Sequence, residues 1–135
     1  MINKYARTLA ALCGVCLLVG GGSARAQTQP ILSPTPRFAE KTGAEIYANV
    51  CQACHMSDGR GAKGAAVYPS LVGNKTLEAR GYSIGVVVNG LRGMPQFGTM
   101  MSDEQVVEIV NYVRTHFGNA WPDAATVEDA RSARK

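Results

Sequence analysis

Two thiols and an imidazole stand together in the run Cys51-Gln52-Ala53-Cys54-His55. Cysteines three residues apart lie on neighbouring parts of one helical turn, so both sulfurs can reach the same flat cofactor. This spacing, with a histidine directly after the second cysteine, is the pattern for covalent attachment of a c-type haem. Each sulfur would bond to one vinyl group of the porphyrin, and the imidazole would bind the iron. We therefore predict one covalently attached haem c, held by Cys51 and Cys54, with His55 as an axial ligand.

Paired cysteines also occur in zinc sites and in redox dithiols, and both alternatives are weaker here. A structural zinc ion needs four ligands, commonly supplied as two pairs. After His55 the chain has no further cysteine and one further histidine, His116. A thioredoxin-like dithiol lies near a βαβ pattern, whereas this chain is rich in glycine and its periodic segments are helical. Haem attachment is therefore the favoured interpretation.

A second iron ligand would decide whether the site is open to small molecules. The chain has five methionines. Met1 belongs to an N-terminal segment that we expect to be removed, and Met56 is tethered beside His55 on the same side of the haem. The remaining candidates for the opposite side are Met94, Met100 and Met101.

Met94 is the favoured candidate because of the proline that follows it. Pro95 fixes its own φ and holds its predecessor in an extended conformation, which gives a stiff segment able to cross the far side of the haem. Met100 and Met101 directly precede the predicted last helix, where a buried methionine usually fills the core. They stay open as alternatives, as does a site without a methionine ligand. His116 would lie in the last turn of that helix, where the dipole favours a histidine, and we interpret it as a surface residue.

The N-terminal segment has the pattern of a secretory signal peptide. Lys4 and Arg7 form a charged start, residues 8–22 are apolar, and Ala24-Arg25-Ala26 is a small-residue cleavage site before Gln27. The apolar stretch is too short to span a bilayer comfortably, so a retained membrane anchor is the weaker alternative. We predict that residues 1–26 are removed, that the mature chain is periplasmic and that no membrane span remains. Haem attachment to such a motif takes place outside the cytoplasm, in agreement with this prediction.

The charge balance of the mature chain gives no reason to expect a nucleic acid or an anionic membrane as partner. The full sequence has 14 Lys and Arg residues against 10 Asp and Glu residues, and a pI of about 9.0. Three of the basic residues, Lys4, Arg7 and Arg25, lie in the predicted signal peptide, which leaves 11 against 10. Two haem propionates would make the protein slightly negative. We therefore expect no nucleic-acid partner.

The mature chain has the organisation of one small helical domain. Residues 27–36 contain three prolines and predict a flexible lead-in. The domain is expected to span residues 37–121. A C-terminal tail, residues 122–135, would come next with at most one short turn, beginning at Thr126. The predicted fold class is all-α, with N- and C-terminal helices packed around the covalently bound haem.

Capping residues and turn-forming residues place the first elements of this domain. Thr42 and Glu45 have capping-box spacing, and the helix that begins there would carry both cysteines. Residues 57–64 are dense in glycine and charge, and predict a loop without regular structure. A short helix is predicted over 76–80 and another over 82–89.

The last helix is the clearest element of the sequence. Ser102 and Gln105 form a second capping box, and Gly118 is the predicted end of the helix. Between them runs one apolar stripe at helical spacing, which predicts a helix with one face in the core. The stripe consists of Val106, Ile109, Val110, Val113 and Phe117.

These features together resemble the class I cytochromes c, and in particular the monohaem cytochrome domains and subunits that serve periplasmic dehydrogenases. The resemblance runs from about Gly43 to beyond Trp121. It implies the small cytochrome c fold. The motifs that carry it are Gly43-x-x-x-Tyr47, Cys51-x-x-Cys54-His55, Tyr68-Pro69-x-Leu71-x-Gly73-Asn74, Gly93-Met94-Pro95-x-Phe97-Gly98, and Ser102-Asp103-Glu104-Gln105 leading to Asn111-Tyr112-Val113-Arg114.

The resemblance implies specific contacts around the haem. Met94 would be the sixth iron ligand. The carbonyl of Pro69 would accept a hydrogen bond from the other ring nitrogen of His55, which would fix the ring and raise its basicity. Gly43 and Tyr47 on the first helix would pack against Tyr112 on the last, with glycine permitting a close approach, so that these two helices hold the fold together.

A histidine and a methionine together saturate the iron, so the expected chemistry is outer-sphere transfer of single electrons and not catalysis. The expected donor is a periplasmic dehydrogenase or oxidase. The expected acceptor is a terminal oxidase or another cytochrome of the respiratory chain. Two alternatives stay open: a permanent electron-transfer subunit of a dehydrogenase complex, and a ligand-binding haem protein with a displaceable methionine.

Overall fold

The structure, a computed structural model, describes residues 37–64 and 66–134. The predicted signal peptide (1–26) and lead-in (27–36) lie outside the described residues. Within them the fold is mostly helical, as the all-α prediction requires, with one small two-stranded sheet. The helices are α1 (Gly43–Ile46), α2 (Gln52–His55), α3 (Arg80–Asn89), α4 (Asp103–Thr115) and α5 (Val127–Ser132), with a π-helical segment (Tyr47–Cys51), a 3-10 turn (Lys75–Glu78) and the strands β1 (Ala62–Lys63) and β2 (Val67–Tyr68).

The first helix forms as predicted and carries both cysteines. The side chain of Thr42 accepts a hydrogen bond from the Glu45 amide at 3.3 Å, and the Glu45 carboxylate accepts one from the Thr42 amide at 3.0 Å. This reciprocal cap satisfies two amides that a helix start leaves without partners. From there α1, the π-helical segment and α2 succeed one another without a break, so the helical path covers residues 43–55. The path ends at Met56, whose φ of 63° turns the chain away.

The first helix crosses α4 at a glycine, and the predicted contact is confirmed. A Cβ atom added to Gly43 would lie 2.3 Å from the Glu108 carbonyl oxygen and 2.5 Å from Cβ of Tyr112. One turn later, the rings of Tyr47 and Tyr112 are tilted against each other, with centroids 5.6 Å apart. Glycine is therefore required at the crossing because the two backbones approach too closely for any side chain.

We expect Gly43→Ala to lower the free energy of unfolding by about 3 kcal/mol, because the new methyl group overlaps a backbone carbonyl that moves only with the whole of α4. Gly81→Ala is the matched control, since a Cβ at this exposed position of α3 meets nothing within 4 Å. There the free energy of unfolding should rise by about 0.5–1 kcal/mol through helix propensity. Urea unfolding of the haem-loaded protein measures both, and equal effects would contradict the close crossing.

The apolar stripe of the last helix forms the centre of the core. Val106, Ile109, Val110 and Val113 are all buried, and they pack with buried residues of the first helix and of α3. Burial of this one face supplies the main free energy that holds α4 in place. The remaining members of the core cluster are Ile46, Tyr47, Ile84, Val88, Met101, Ala125 and Ala130.

The end of α4 differs from the prediction, because the helix stops at Thr115 and not at Gly118. The Thr115 hydroxyl donates to the Asn111 carbonyl at 2.8 Å, and Nδ1 of His116 lies 2.8 Å from the Tyr112 carbonyl. Side chains thus bind the carbonyls that a continuing helix would use. Phe117 and Gly118 then take φ values of 56° and 75° and turn the chain.

Two other elements also differ from their predicted form. The segment 57–64 was predicted to lack regular structure, which is wrong, because Ala62 pairs with Tyr68 and Lys63 with Val67 in an antiparallel ribbon. Strands this short have no alternating pattern for a sequence to reveal. The predicted helix over 76–80 is a 3-10 turn, and α3 begins two residues earlier than predicted.

Residues beyond Trp121 join the packed domain. A third capping box, between Thr126 and Asp129, begins α5 at the predicted position. Ala125 and Ala130 are buried in the core, although sequence patterns assigned residues 122–135 to a tail. The amide of Asn111 donates to the Ala125 carbonyl at 3.2 Å and its oxygen accepts from the Ala125 amide at 2.7 Å, which ties this segment to α4. Two alanines form no recognisable apolar pattern, so the sequence alone does not predict that this segment packs against the core.

Candidate haem-binding site

The two cysteines of the site lie on consecutive helical segments and both thiols are free. Cys51 ends the π-helical segment and Cys54 lies in α2, and each is half-buried. Burial raises the pKa of the Cys51 thiol to about 12, and the nearby Cys54 adds to the shift. The Cys51 thiol is therefore neutral at physiological pH. Two reduced sulfurs at this spacing are what attachment of one haem requires.

His55, at the end of α2, has one ring nitrogen committed to the protein. Its Nδ1 lies 3.0 Å from the Pro69 carbonyl oxygen. A carbonyl oxygen can only accept, so Nδ1 carries the hydrogen and donates it, and Nε2 keeps its lone pair. This is the arrangement in which a histidine binds a metal through one nitrogen while its partner fixes the ring. The hydrogen bond that the family resemblance implied is thus present.

The small sheet holds the Pro69 carbonyl in place. Pro69 comes directly after β2, and a Cβ atom added to Gly61 would lie 2.1 Å from the Tyr68 carbonyl oxygen. The two segments therefore approach so closely that only glycine fits, and its φ of 66° also favours glycine. On the other side, the Leu71 amide donates to the Gly59 carbonyl at 2.7 Å. The orientation of the His55 ring therefore depends on a ribbon that lies after the attachment motif in the chain.

Met94 lies in a tight turn just after α3 and begins the methionine segment, our name for residues 94–101. Leu91 and Met94 exchange two backbone hydrogen bonds, at 3.1 and 3.0 Å. Further along, the amides of Phe97 and Gly98 donate to the carbonyls of the last turn of α3 at 3.0 and 3.1 Å. The Met94 side chain is half-buried. Its backbone is therefore fixed on both sides, as a ligand-bearing turn needs to be.

The other methionines and His116 have different surroundings. Met101 is 4% exposed and belongs to the core cluster, which fits the interpretation that it fills space. The carbonyl of Met56 accepts a hydrogen bond from the Tyr47 hydroxyl at 2.7 Å, next to His55. His116 is exposed and its ring stacks on Tyr112 with centroids 3.9 Å apart, as expected for a surface residue. The assignment of Met94 as the ligand opposite His55 stays a prediction.

The residues present fit a haem group in their donor chemistry and in their surroundings. Two free thiols, an imidazole with an available Nε2 and a thioether are the donors that haem c uses. Large apolar side chains near Pro69 and Met94 in the chain are 37–71% exposed, and are therefore available to contact an apolar cofactor: Val67, Tyr68, Val72 and Leu91. Within residues 37–64 and 66–134, no group of three or more His, Cys, Asp or Glu residues is arranged so that it could hold a metal ion.

Comparison with known proteins decides the family. Residues 38–113, more than half of the chain, match the family model described as cytochrome C oxidase, cbb3-type, subunit III. The chain belongs to this family of c-type cytochrome domains. The family carries covalently bound haem c, and every candidate site residue of this cytochrome domain lies within the matched region.

Several curated relatives are similar to this cytochrome domain. The fructose dehydrogenase cytochrome subunit of Gluconobacter japonicus is 40% identical over 93 residues, which cover 58% of this chain and 19% of the relative. The gluconate 2-dehydrogenase cytochrome c subunit of Pantoea cypripedii is 33% identical over 107 residues, 70% of this chain and 24% of the relative. The cytochrome c6 of Euglena gracilis is 30% identical over 89 residues, 62% of this chain and 99% of the relative. The chain thus spans about a fifth to a quarter of the dehydrogenase subunits.

Two arginines that are ordered by the fold were given no role from the sequence: Arg114 appeared only as the last residue of a family motif, and Arg134 in none. Arg114, in α4, is 1% exposed. Arg134 contacts Gly98 and Met101, which precede α4, and Asp103, the first residue of α4. Arginine is almost never fully buried unless it is paired, so its type alone predicts a solvated position. The partners of both residues lie more than thirty positions away along the chain, apart from Asp123. No local signal could have revealed these contacts.

Proposed function

We propose that this cytochrome domain carries single electrons, with His55 and Met94 as the axial ligands of a haem attached to Cys51 and Cys54. The observation that supports this assignment best is the hydrogen bond from Nδ1 of His55 to the Pro69 carbonyl. It fixes the orientation of the ring and leaves the Nε2 lone pair available to bind the iron. A fixed imidazole suits electron transfer, since little rearrangement of the protein is needed when the charge at the site changes.

We propose further that the site performs no catalysis of its own. The bound haem iron supplies a reversible one-electron couple. Met94, held by the turn after α3, would occupy the position at which a substrate or oxygen would otherwise bind. The apolar side chains around Pro69 and Met94 would exclude water from the site. With His55 and Met94 both holding the iron, the protein would determine access to the haem and its reduction potential.

The partners and the compartment are inferred from the relatives and from the N-terminal sequence. We propose a periplasmic dehydrogenase or oxidase as donor, because dehydrogenase cytochrome subunits of three kinds are similar to this chain. A terminal oxidase or another cytochrome of the respiratory chain would accept the electron. Residues 1–26 would direct export to the periplasm. Among the helices that the structure describes, none combines the length and the apolar character of a membrane span.

The donor is tested by mixing the oxidised, haem-loaded protein with purified fructose, gluconate and alcohol dehydrogenases and monitoring reduction of the haem by its visible spectrum. We expect reduction that requires both a dehydrogenase and its substrate. Mixtures without substrate are the control, and dithionite defines full reduction. Reduction by none of these enzymes would contradict the proposed donors. A pigment that is extracted by acidified organic solvent would contradict covalent attachment.

A further inference from the structure

Arg134, two residues after α5, reaches the methionine segment and the start of α4. Its Nε lies 2.5 Å from a carboxylate oxygen of Asp103, the first residue of α4. Its Nη2 donates to the Met101 carbonyl at 2.9 Å, and Nη1 donates to the Gly98 carbonyl. The side chain is 32% exposed and that of Asp103 is 21% exposed. One guanidinium therefore holds both a carboxylate and two backbone carbonyls, which its planar set of donors permits.

Gly98 is the point at which these contacts act on the methionine segment. Its amide donates to the Val88 carbonyl at 3.1 Å, and a Cβ atom added to it would lie 2.7 Å from that same oxygen. The segment is thus pressed against α3 at Gly98. The carbonyl of the same residue is bound by Arg134. Opening of the segment would break both sets of contacts.

The contacts that hold α5 elsewhere do not involve the methionine segment. Arg80, at the start of α3, donates to the carboxylates of Asp129 at 3.1 Å and Asp123 at 3.2 Å. The amide of Asn89 donates to the Ala133 carbonyl at 3.1 Å. Attachment of α5 to α3 and attachment of the methionine segment to Arg134 therefore depend on different side chains. The two roles can be separated by substitution.

We propose that Arg134 is a positioning residue for Met94: it keeps the methionine segment closed, and so keeps the thioether in place at the iron. This inference rests on the proposed function, in which Met94 is the axial ligand. Arg134 lies outside residues 38–113, the region that matches the family model.

The experiment measures how often the segment opens in the haem-loaded protein. Cyanide can bind ferric iron only after Met94 has left, so its binding rate reports opening. We expect Arg134→Ala to raise this rate roughly tenfold. The guanidinium makes its charged hydrogen bonds only when the segment is closed, so its removal destabilises the closed state relative to the open state. Hydrogen exchange of the Gly98 amide, which needs no added ligand, should accelerate by a similar factor, roughly tenfold.

Two variants separate positioning from general stability. Arg80→Ala removes contacts of α5 with no partner in the methionine segment, and should leave cyanide binding and Gly98 exchange near the wild-type rates. Arg134→Lys keeps the charge beside Asp103 but lacks the planar fork, and should give rates between those of the wild type and of Arg134→Ala. Equal acceleration by Arg80→Ala and Arg134→Ala would overturn the proposal, since a loosened α5 would then explain both.

The test also distinguishes failure of this proposal from failure of the proposed function. A wild-type ferric protein that shows the weak far-red band of sulfur-to-iron bonding has its methionine ligand. If that band is present and Arg134→Ala changes neither rate, the positioning role alone is refuted. If the band is absent and cyanide binds the wild type at once, the methionine ligand is refuted, and the role of Arg134 with it.

Discussion

Replacing Met94 by alanine is expected to abolish the far-red sulfur-to-iron band of the ferric protein and to make cyanide bind at least about a hundredfold faster. Removing a residue that hydrogen-bonds to a metal ligand typically changes metal affinity or activity by roughly 10- to 100-fold, and removing the ligand itself should have a larger effect. In the proposed assignment, the Met94 thioether would bind the iron opposite His55 and so close the wild-type site to cyanide. The shortened side chain of Met94→Ala cannot reach the iron. The reduction potential should fall as well, because a methionine ligand raises the potential of a haem.

Met101→Leu and Met100→Leu are the controls for this substitution. Met101 lies in the core, and a leucine of similar volume should cost less than about 1.5 kcal/mol of stability. Both variants should keep the far-red band and the slow binding of cyanide. A band that survives in Met94→Ala but disappears in one of the leucine variants would assign the ligand to that methionine. Absorption spectra and stopped-flow mixing with cyanide provide the measurements.

Arg114→Ala is expected to lower the free energy of unfolding by about 3 kcal/mol, because backbone carbonyls that the buried guanidinium binds lose their donor. The guanidinium is 1% exposed and donates to the carbonyls of Leu77 at 2.8 Å and Glu78 at 2.9 Å. It also binds the carbonyl and the carboxylate of Asp123. Its removal leaves a cavity and unpaired carbonyls between the 3-10 turn and the C-terminal segment. Urea unfolding of the haem-loaded variant measures the loss.

The matched control is Arg131→Ala, whose side chain is 63% exposed, pairs with Glu128 at 2.9 Å and lies 3.8 Å from the Asp103 carboxylate. A surface pair of this kind contributes about 0–1 kcal/mol, so the control should be nearly neutral.

Acid titration gives a second readout of the contact between Arg114 and Asp123. The guanidinium of Arg114 holds the pKa of Asp123 below its usual value of 3.8, so the wild type loses stability as the pH falls through the lowered value. Arg114→Ala should lose less over that interval. If Arg114→Ala and Arg131→Ala lowered the free energy of unfolding equally, the stabilising role of the buried Arg114 would be contradicted.

The prediction of local structure succeeded where the signal spans one turn of helix. The capping boxes at Thr42 and Ser102 are both present, and the four valine and isoleucine residues of the stripe on α4 are buried. A cap or a stripe needs only neighbours three or four positions away, which the sequence itself supplies. The end of α4 was predicted too late in the chain. The side chains of Thr115 and His116 compete with backbone amides for the carbonyls of the last turn, and residue types alone do not show which of them binds.

By itself, the sequence determined the attachment motif, the caps and the buried face of the last helix, because adjacent residues carry all the information for them. Only the tertiary structure decided which arginines are buried, how β1 pairs with β2, and that α5 packs against α3 and α4. Arg114 meets Leu77, and Arg134 meets Gly98, across 37 and 36 positions of chain. Contacts at such separation exist only once the chain has folded, so their energies cannot be read from local patterns.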